Sequence, residues 1–170
     1  MFYALVPDPP LQLLLAAQGH AIATRAGGRA IPPANVHLTL AFVGDVAAAR
    51  LEALRAIVLT LPRQRFDLEL NRVGVFRRAR VGWLAPEITP DALTVLHAAL
   101  ATALTDASFP LEARPFHPHV TLARRCVGVI PNAVAVSTRW HVARVSLMET
   151  LRDERGLRYG EIAGMDLVDA

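Results

Sequence analysis

At 170 residues the chain is long enough for one domain with a full core or for two small fused lobes. Its hydrophobic content of 53% against 19% charged residues excludes a disordered chain, and no apolar run reaches the roughly 18 residues of a membrane helix. Net charge is only +3, but all 18 basic residues are arginine: without lysine there is no lysyl-nucleotidyl intermediate, Schiff base or P-loop lysine, whereas guanidinium forks suit phosphate.

The first residues, Met1 to Pro7, lack the basic stretch and cleavage site of a signal peptide, and Cys126 is the single cysteine. Both point to a reducing cytoplasm, with Cys126 read as a small buried hydrophobe rather than a nucleophile. Phe2 to Val6 reads as a first strand. Pro9-Pro10 opens a helix to about Arg25 through Leu11, Leu14, Leu15 and Ile22, ended by Gly27-Gly28. A loop with Pro32, Pro33 and Asn35 leads into Val36 to Phe42. Gly44-Asp45 ends that strand, and Asp45 is the expected N-cap of a helix over 46–61 carrying Leu51, Leu54, Val58 and Leu61 on one stripe.

Phe66 to Phe76 alternates apolar and polar residues and, through a turn at Arg77-Arg78, forms a hairpin with Arg80 to Leu84. Thr89 is the expected cap, with Pro90 in the first turn, of a helix to about Thr105. After an irregular Pro110 to Phe116 comes Pro115-Phe116-His117-Pro118-His119-Val120-Thr121-Leu122-Ala123-Arg124, then a loop with Pro131 and Asn132. Trp140 to Leu151 and Leu157 to Ile162 form a closing hairpin around 153–156. The order predicts two similar halves, each with a motif strand, in an α+β fold whose antiparallel sheets line a central cleft with helices outside.

The motif strands carry the chemistry. His37-Leu38-Thr39-Leu40 and His119-Val120-Thr121-Leu122 repeat one pattern, His-x-Thr-Leu, and in a strand the histidine and threonine share one face. Imidazole titrates near pH 6.5, so two of them across a phosphodiester can deprotonate an attacking oxygen and protonate a departing one without a metal. Thr39, Thr121 and Arg124 donate to the non-bridging oxygens, where charge builds. Strict alternation sends Phe42 to the core face with Leu38 and Leu40. His117, held extended by Pro118, is read as supporting His119; His20, His97 and His141 lack polar companions and are read as structural. Trp83 is read as core, and Arg77, Arg78 and Arg80 either as a phosphate rim or as solvated turn charges.

The paired tetrads, with Asn35 to Gly44, Arg80-Val81-Gly82-Trp83-Leu84 and Arg114 to Arg124 around them, resemble the 2H phosphoesterase superfamily. Within it they resemble the RNA 2′,3′-cyclic phosphodiesterases, also called 2′-5′ RNA ligase-like proteins. The resemblance runs through nearly the whole chain. It implies a single domain of two pseudo-symmetric lobes around a V-shaped cleft, and hydrolysis of RNA 2′,3′-cyclic phosphate ends to 2′-phosphates with no cofactor, neither metal nor ATP. It further implies that His37 and His119 are the acid and base, Thr39 and Thr121 hold the phosphate, Arg124 contacts it, and Phe42 stacks on a base. His37 is assigned as acid and His119 as base, an order the sequence does not fix. Glu149-Thr150, with Gly156 and Tyr159 beyond, departs from the Glu-Ser or Tyr-Ser pair frequent in the family. The expected partner is an RNA or oligonucleotide end, with no membrane, and the expected state is a monomer. Three readings stand apart: the cyclic phosphodiesterase, with reverse ligation at the same site or with a small cyclic nucleotide derivative as substrate; a metal hydrolase using His37, His117 and His119; and an RNA-binding module without turnover.

Overall fold

The computed structural model describes residues 1–112, 114–128, 137–154 and 156–169. The expected loop with Pro131 and Asn132, and Arg155 of the closing turn, lie outside them.

The chain opens with strand β1 (Phe2–Leu5) and helix α1 (Pro9–Ala26). Asp8 caps that helix by accepting from the Leu11 amide at 2.9 Å, the two prolines occupy its first turn, and Gly27 ends it in the left-handed region at φ 64°. A two-residue strand β2 (Arg29–Ala30), not predicted, leads through a 3-10 turn (Pro33–Asn35) to the first motif strand, β3 (Leu38–Phe42). The helix expected from residue 46 begins later. A 3-10 turn (Ala48–Arg50) precedes α2 (Leu51–Thr60), and Asp45 caps neither. Arg50 stands at that helix start instead. Its guanidinium lies 3.9 Å from the Phe109 ring centre and donates to the Ala107 carbonyl.

Phe66 to Phe76 is not one strand. It breaks at Asn71, whose side-chain oxygen accepts from the Glu87 amide at 2.7 Å while its own amide reaches the Ala85 carbonyl. On one side lies β4 (Phe66–Leu70); on the other, β5 (Arg72–Phe76) forms the expected hairpin with β6 (Val81–Ala85). Helix α3 (Asp91–Asp106) buries Leu93, Leu96, Leu100 and Leu104; Pro90, not Thr89, occupies its N-cap position and makes no side-chain cap, so the helix starts one residue later than expected. The second motif strand, β7 (Val120–Arg124), and the strands β8 (Thr138–Val142), β9 (Arg144–Asp153) and β10 (Gly156–Asp166) complete the chain. The closing hairpin forms between β9 and β10, but its first arm starts at Arg144: Trp140 to Val142, expected within it, belong to β8, which pairs with β4 as a separate two-stranded ribbon.

All paired strands are antiparallel, and the main sheet runs β10-β9-β1-β3-β7-β6-β5, with β2 also beside β7. Its two halves join through one residue pair, Leu38 opposite Val120, both fully buried. Helix α2 covers β9 and β10, and the Tyr3 hydroxyl, fully buried, donates to the Leu54 carbonyl of α2 at 2.8 Å. Helix α1 covers β7 and β6, using Leu15, Gly19 and Ile22; Leu14, placed on that stripe from the sequence, points out to solvent. No helix among the described residues is long and apolar enough to cross a membrane.

α1 approaches the second motif strand at Gly19, where a Cβ would lie 2.7 Å from the Leu122 carbonyl oxygen. Glycine within a helix ordinarily gives up about 1 kcal/mol to alanine, but overpacking against a backbone atom costs typically about 1–3 kcal/mol. Gly19→Ala is therefore expected to destabilise the fold by about 1 kcal/mol or more, read as a lower denaturant midpoint at unchanged slope; a raised midpoint would contradict the close approach.

Candidate active site

His37 and His119 each sit one residue before their strand, and each is held in the same way. The ring Nδ1 of His37 lies 2.8 Å from the Asn35 carbonyl, and that of His119 lies 2.7 Å from the His117 carbonyl. A carbonyl only accepts, so Nδ1 carries the hydrogen, and in the neutral ring Nε2 keeps its lone pair. His117 thus supports His119 through its backbone, not its ring. Asn35 is anchored in turn: its side-chain amide donates 2.9 Å to the Leu157 carbonyl, tying the first motif to β10.

The joint between the half-sheets brings the motifs together. With Leu38 opposite Val120, extending the antiparallel register by one residue sets His37 across from Thr121 and Thr39 across from His119. Since Leu38 and Val120 point into the core, those four polar side chains occupy the other face. One cavity of about 820 Å³ is lined by all four together with Arg124.

Strict alternation would put Arg124 and Phe42 on the core face, and both are in the cleft. The cause is a matched pair of bulges. In β3, Thr39 faces Ala4 and Ala41 faces Tyr3, leaving Leu40 without a partner; in β7, Thr121 faces Trp83 and Ala123 faces Gly82, leaving Leu122 without one. The fourth residue of each tetrad is therefore the extra residue, and the strand beyond it changes phase. Leu40 and Leu122 stay buried, while Phe42, 52% exposed, lines the same cavity as His37. The expectation that Phe42 faces the core is overturned on this ground.

Several lining residues were not found from the sequence. Phe2 lies 5.0 Å, centre to centre, from His37, and Tyr159 meets His37 edge-on at 4.9 Å. Glu149, Thr150 and Arg152 of β9 line the same cavity, so the departure at Glu149-Thr150 falls within the site. On the other half, Phe76 meets His119 edge-on at 5.0 Å and packs against Trp83, which is partly buried. These partners come from strands far away in the chain and carry no local motif.

An adjoining cavity of about 610 Å³ shares Thr39, Phe42 and His119 and extends past Phe76 to Arg78, Arg114 and a stacked pair, His97 on Phe116, 3.9 Å between centres. Of the turn arginines, Arg78 lines this cavity; Arg77 and Arg80 line neither cavity. His97, expected to be structural, lines it as well. His141, also read as lacking a polar companion, pairs with Asp67 on the exposed face of the β4–β8 ribbon. Cys126 is buried, as expected.

Both motif imidazoles titrate below their usual 6.5. Burial is the main cause for each; the bonds to Asn35 and His117 oppose it, and nearby positive groups, chiefly Arg124 for His37, and His117 and Arg114 for His119, add to it. Both rings are therefore neutral at pH 7 while no anion occupies the site. Among the described residues no group of three or more His, Cys, Asp or Glu side chains is placed to hold a metal ion.

Comparison with known proteins identifies the family. The model of the 2′-5′ RNA ligase superfamily matches residues 9–154. A protein of Escherichia coli (strain K12) named RNA 2′,3′-cyclic phosphodiesterase is 37% identical over 97 residues, which are 57% of this chain and 55% of the relative. One of the same name from Geobacillus stearothermophilus is 32% identical over 148 residues, 80% of this chain and 46% of the relative. The chain spans about half the length of these curated relatives. Among solved structures, E. coli LigT complexed with 3′-AMP superposes with a TM-score of 0.85 at 27% identity, covering 99% of this chain and 97% of that one. A structure described as a phosphoesterase gives 0.86 at 26% identity with the same coverage. The chain belongs to the 2′-5′ RNA ligase superfamily.

Proposed function

We propose that this protein is a metal- and ATP-independent RNA 2′,3′-cyclic phosphodiesterase. The observation that carries the reading is the pair of imidazoles, each pinned at Nδ1 by a carbonyl two residues back, with the two threonines and Arg124 on one cavity. The relatives' name and the LigT complex with 3′-AMP support the substrate class.

In this reaction His119 takes a proton from water as the water oxygen bonds to phosphorus. The bond from phosphorus to the 3′ oxygen breaks, and His37 supplies the proton that this oxygen gains. The product is a 2′-phosphate beside a free 3′ hydroxyl. Thr39, Thr121 and Arg124 take up the charge on the non-bridging oxygens. The acid must hold a proton that burial disfavours, and the negative charge of the bound diester restores it. Because one site serves both directions, joining a 2′,3′-cyclic phosphate to a 5′ hydroxyl belongs to the same proposal. Phe42, exposed beside the reacting centre, is assigned to the terminal base, with Phe76 lining the second cavity beyond it. The rest of the proposal is a single domain of two pseudo-symmetric lobes acting as a monomer in the cytoplasm.

With a 2′,3′-cyclic-phosphate-ended oligonucleotide in EDTA, the wild type is expected to release a 2′-phosphate. His37→Ala and His119→Ala should each lose about 10² to 10⁴ in rate, and Thr39→Val or Thr121→Val about 10². Chelator sensitivity would point to a metal hydrolase; binding that survives both histidine changes, with no product from the wild type, would point to a binding module.

The pH profile gives a second test. The kcat/KM profile reports the free protein, where both imidazoles titrate low, so its maximum should lie below pH 6.5. The kcat profile reports the complex, where the phosphate raises them, and its maximum should lie at higher pH. The sign for stability is set by the same shift: lowered folded values mean the unfolded chain binds more protons, so stability is full above 6.5 and falls as pH drops below it. A kcat/KM maximum on the alkaline side would contradict the burial of the pair.

A further inference from the structure

One strand out from Arg124 stands an arginine that lines neither cavity and that the proposed reaction does not use. β2 pairs with β7 so that Arg29 is directly opposite Arg124. Directly opposed residues of an antiparallel pair carry their side chains on the same face, with strands roughly 4.8 Å apart. Two guanidinium groups in that arrangement repel one another. Neither has a carboxylate within ion-pair distance among the described residues, and both are exposed. Such a pair is costly unless an anion sits against it.

The local backbone is arranged to keep the two side by side. β2 is only two residues long, and the residue before it, Gly28, lies so close to β7 that a Cβ there would be 2.9 Å from the Arg124 carbonyl oxygen and 2.7 Å from Cys126 Sγ. Ile31, just beyond β2, donates its amide to the Leu122 carbonyl and lines the cavity of the two histidines. The short strand thus runs from the cavity wall outward, with Arg124 on the cavity and Arg29 one strand farther out.

We infer that Arg29 forms a second phosphate subsite beside Arg124, where it binds the phosphodiester on the 5′ side of the nucleotide whose cyclic phosphate is hydrolysed. This rests on the proposed cyclic phosphodiesterase reading and deepens it. The reacting phosphate already has two imidazoles, two hydroxyls and Arg124; Arg29, beside Arg124 and outside that set, is free to take the neighbouring charge. Guanidinium suits this because it stays charged and binds phosphate oxygens in pairs. The substrate class becomes a chain end, or a 5′-phosphorylated nucleotide, in preference to a bare nucleoside cyclic phosphate.

The test compares adenosine 2′,3′-cyclic phosphate with the same nucleotide carrying a 5′-phosphate, in wild type, Arg29→Gln and Arg29→Lys. The expected ratio of kcat/KM values is about tenfold in favour of the 5′-phosphorylated substrate in the wild type, near one in Arg29→Gln, and intermediate in Arg29→Lys. A ratio that Arg29→Gln leaves unchanged, including an equal loss on both substrates, overturns the subsite. If the wild type turns over neither substrate, the phosphodiesterase reading fails on its own, and calorimetry decides the subsite separately. Adenosine 2′-phosphate and its 5′-phosphorylated form should then differ in affinity for the wild type and match for Arg29→Gln; equal affinities for the wild type would overturn it.

Discussion

The pairing of Leu38 with Val120 is the contact on which the site depends. It is the one register pair between β3 and β7, and it joins two half-sheets that otherwise diverge. Because each histidine immediately precedes its partner in that pair, the joint brings each tetrad's histidine opposite the other's threonine. A shift by one residue would turn Leu38 or Val120 toward the cleft and bury a histidine in the core, so the full burial of both apolar side chains holds the register. The apolar positions of the tetrads are thus as necessary as the polar ones.

Burial sets the electrostatics as well. A cleft deep enough to orient two imidazoles lowers their proton affinity, and neighbouring arginines, Arg124 for His37 and Arg114 for His119, lower it further. In the proposed reaction such a site, underprotonated when empty, acquires its acid form from the charge of the substrate. Substrate binding and the readiness of the general acid are then, in that proposed reaction, one event, and a neutral ligand would leave both rings as bases. The use of arginine alone fits this arrangement, since guanidinium keeps its charge where a lysine in the same surroundings would shed it.

Much of this was legible in the chain because it is local. The tetrads, the Pro9-Pro10 start of α1, the extent of α3 and the β9–β10 hairpin are all written in consecutive residues. What was not legible depends on partners elsewhere. Leu40 and Leu122 look like ordinary alternating residues, and only the strands beside them, β1 and β6, reveal them as bulges. Asn71 reads as one more polar residue of a strand until its side chain is seen to hold the Glu87 amide and divert β4 to β8. Phe2 and Tyr159 meet His37 from opposite ends of the chain, so no spacing rule could have joined them.

In the proposed reaction the two bulges also account for how two matching motif strands meet an asymmetric ligand. Phe42 and Arg124 occupy equivalent positions, three residues after the threonine of their tetrad, and the same change of phase turns each into the cleft. The backbone device is shared; the side chain delivered by it is not. One half presents an aromatic face and the other a cation, the two properties that distinguish the base of a nucleotide from its phosphate. In the proposed reaction this difference, rather than the duplicated histidines, fixes which way round the nucleotide lies and hence which histidine meets the 3′ oxygen. Exchanging the two residues, Phe42→Arg together with Arg124→Phe, preserves the histidine pair while reversing that polarity, so the roles of the two imidazoles are carried by the residues beyond the bulges.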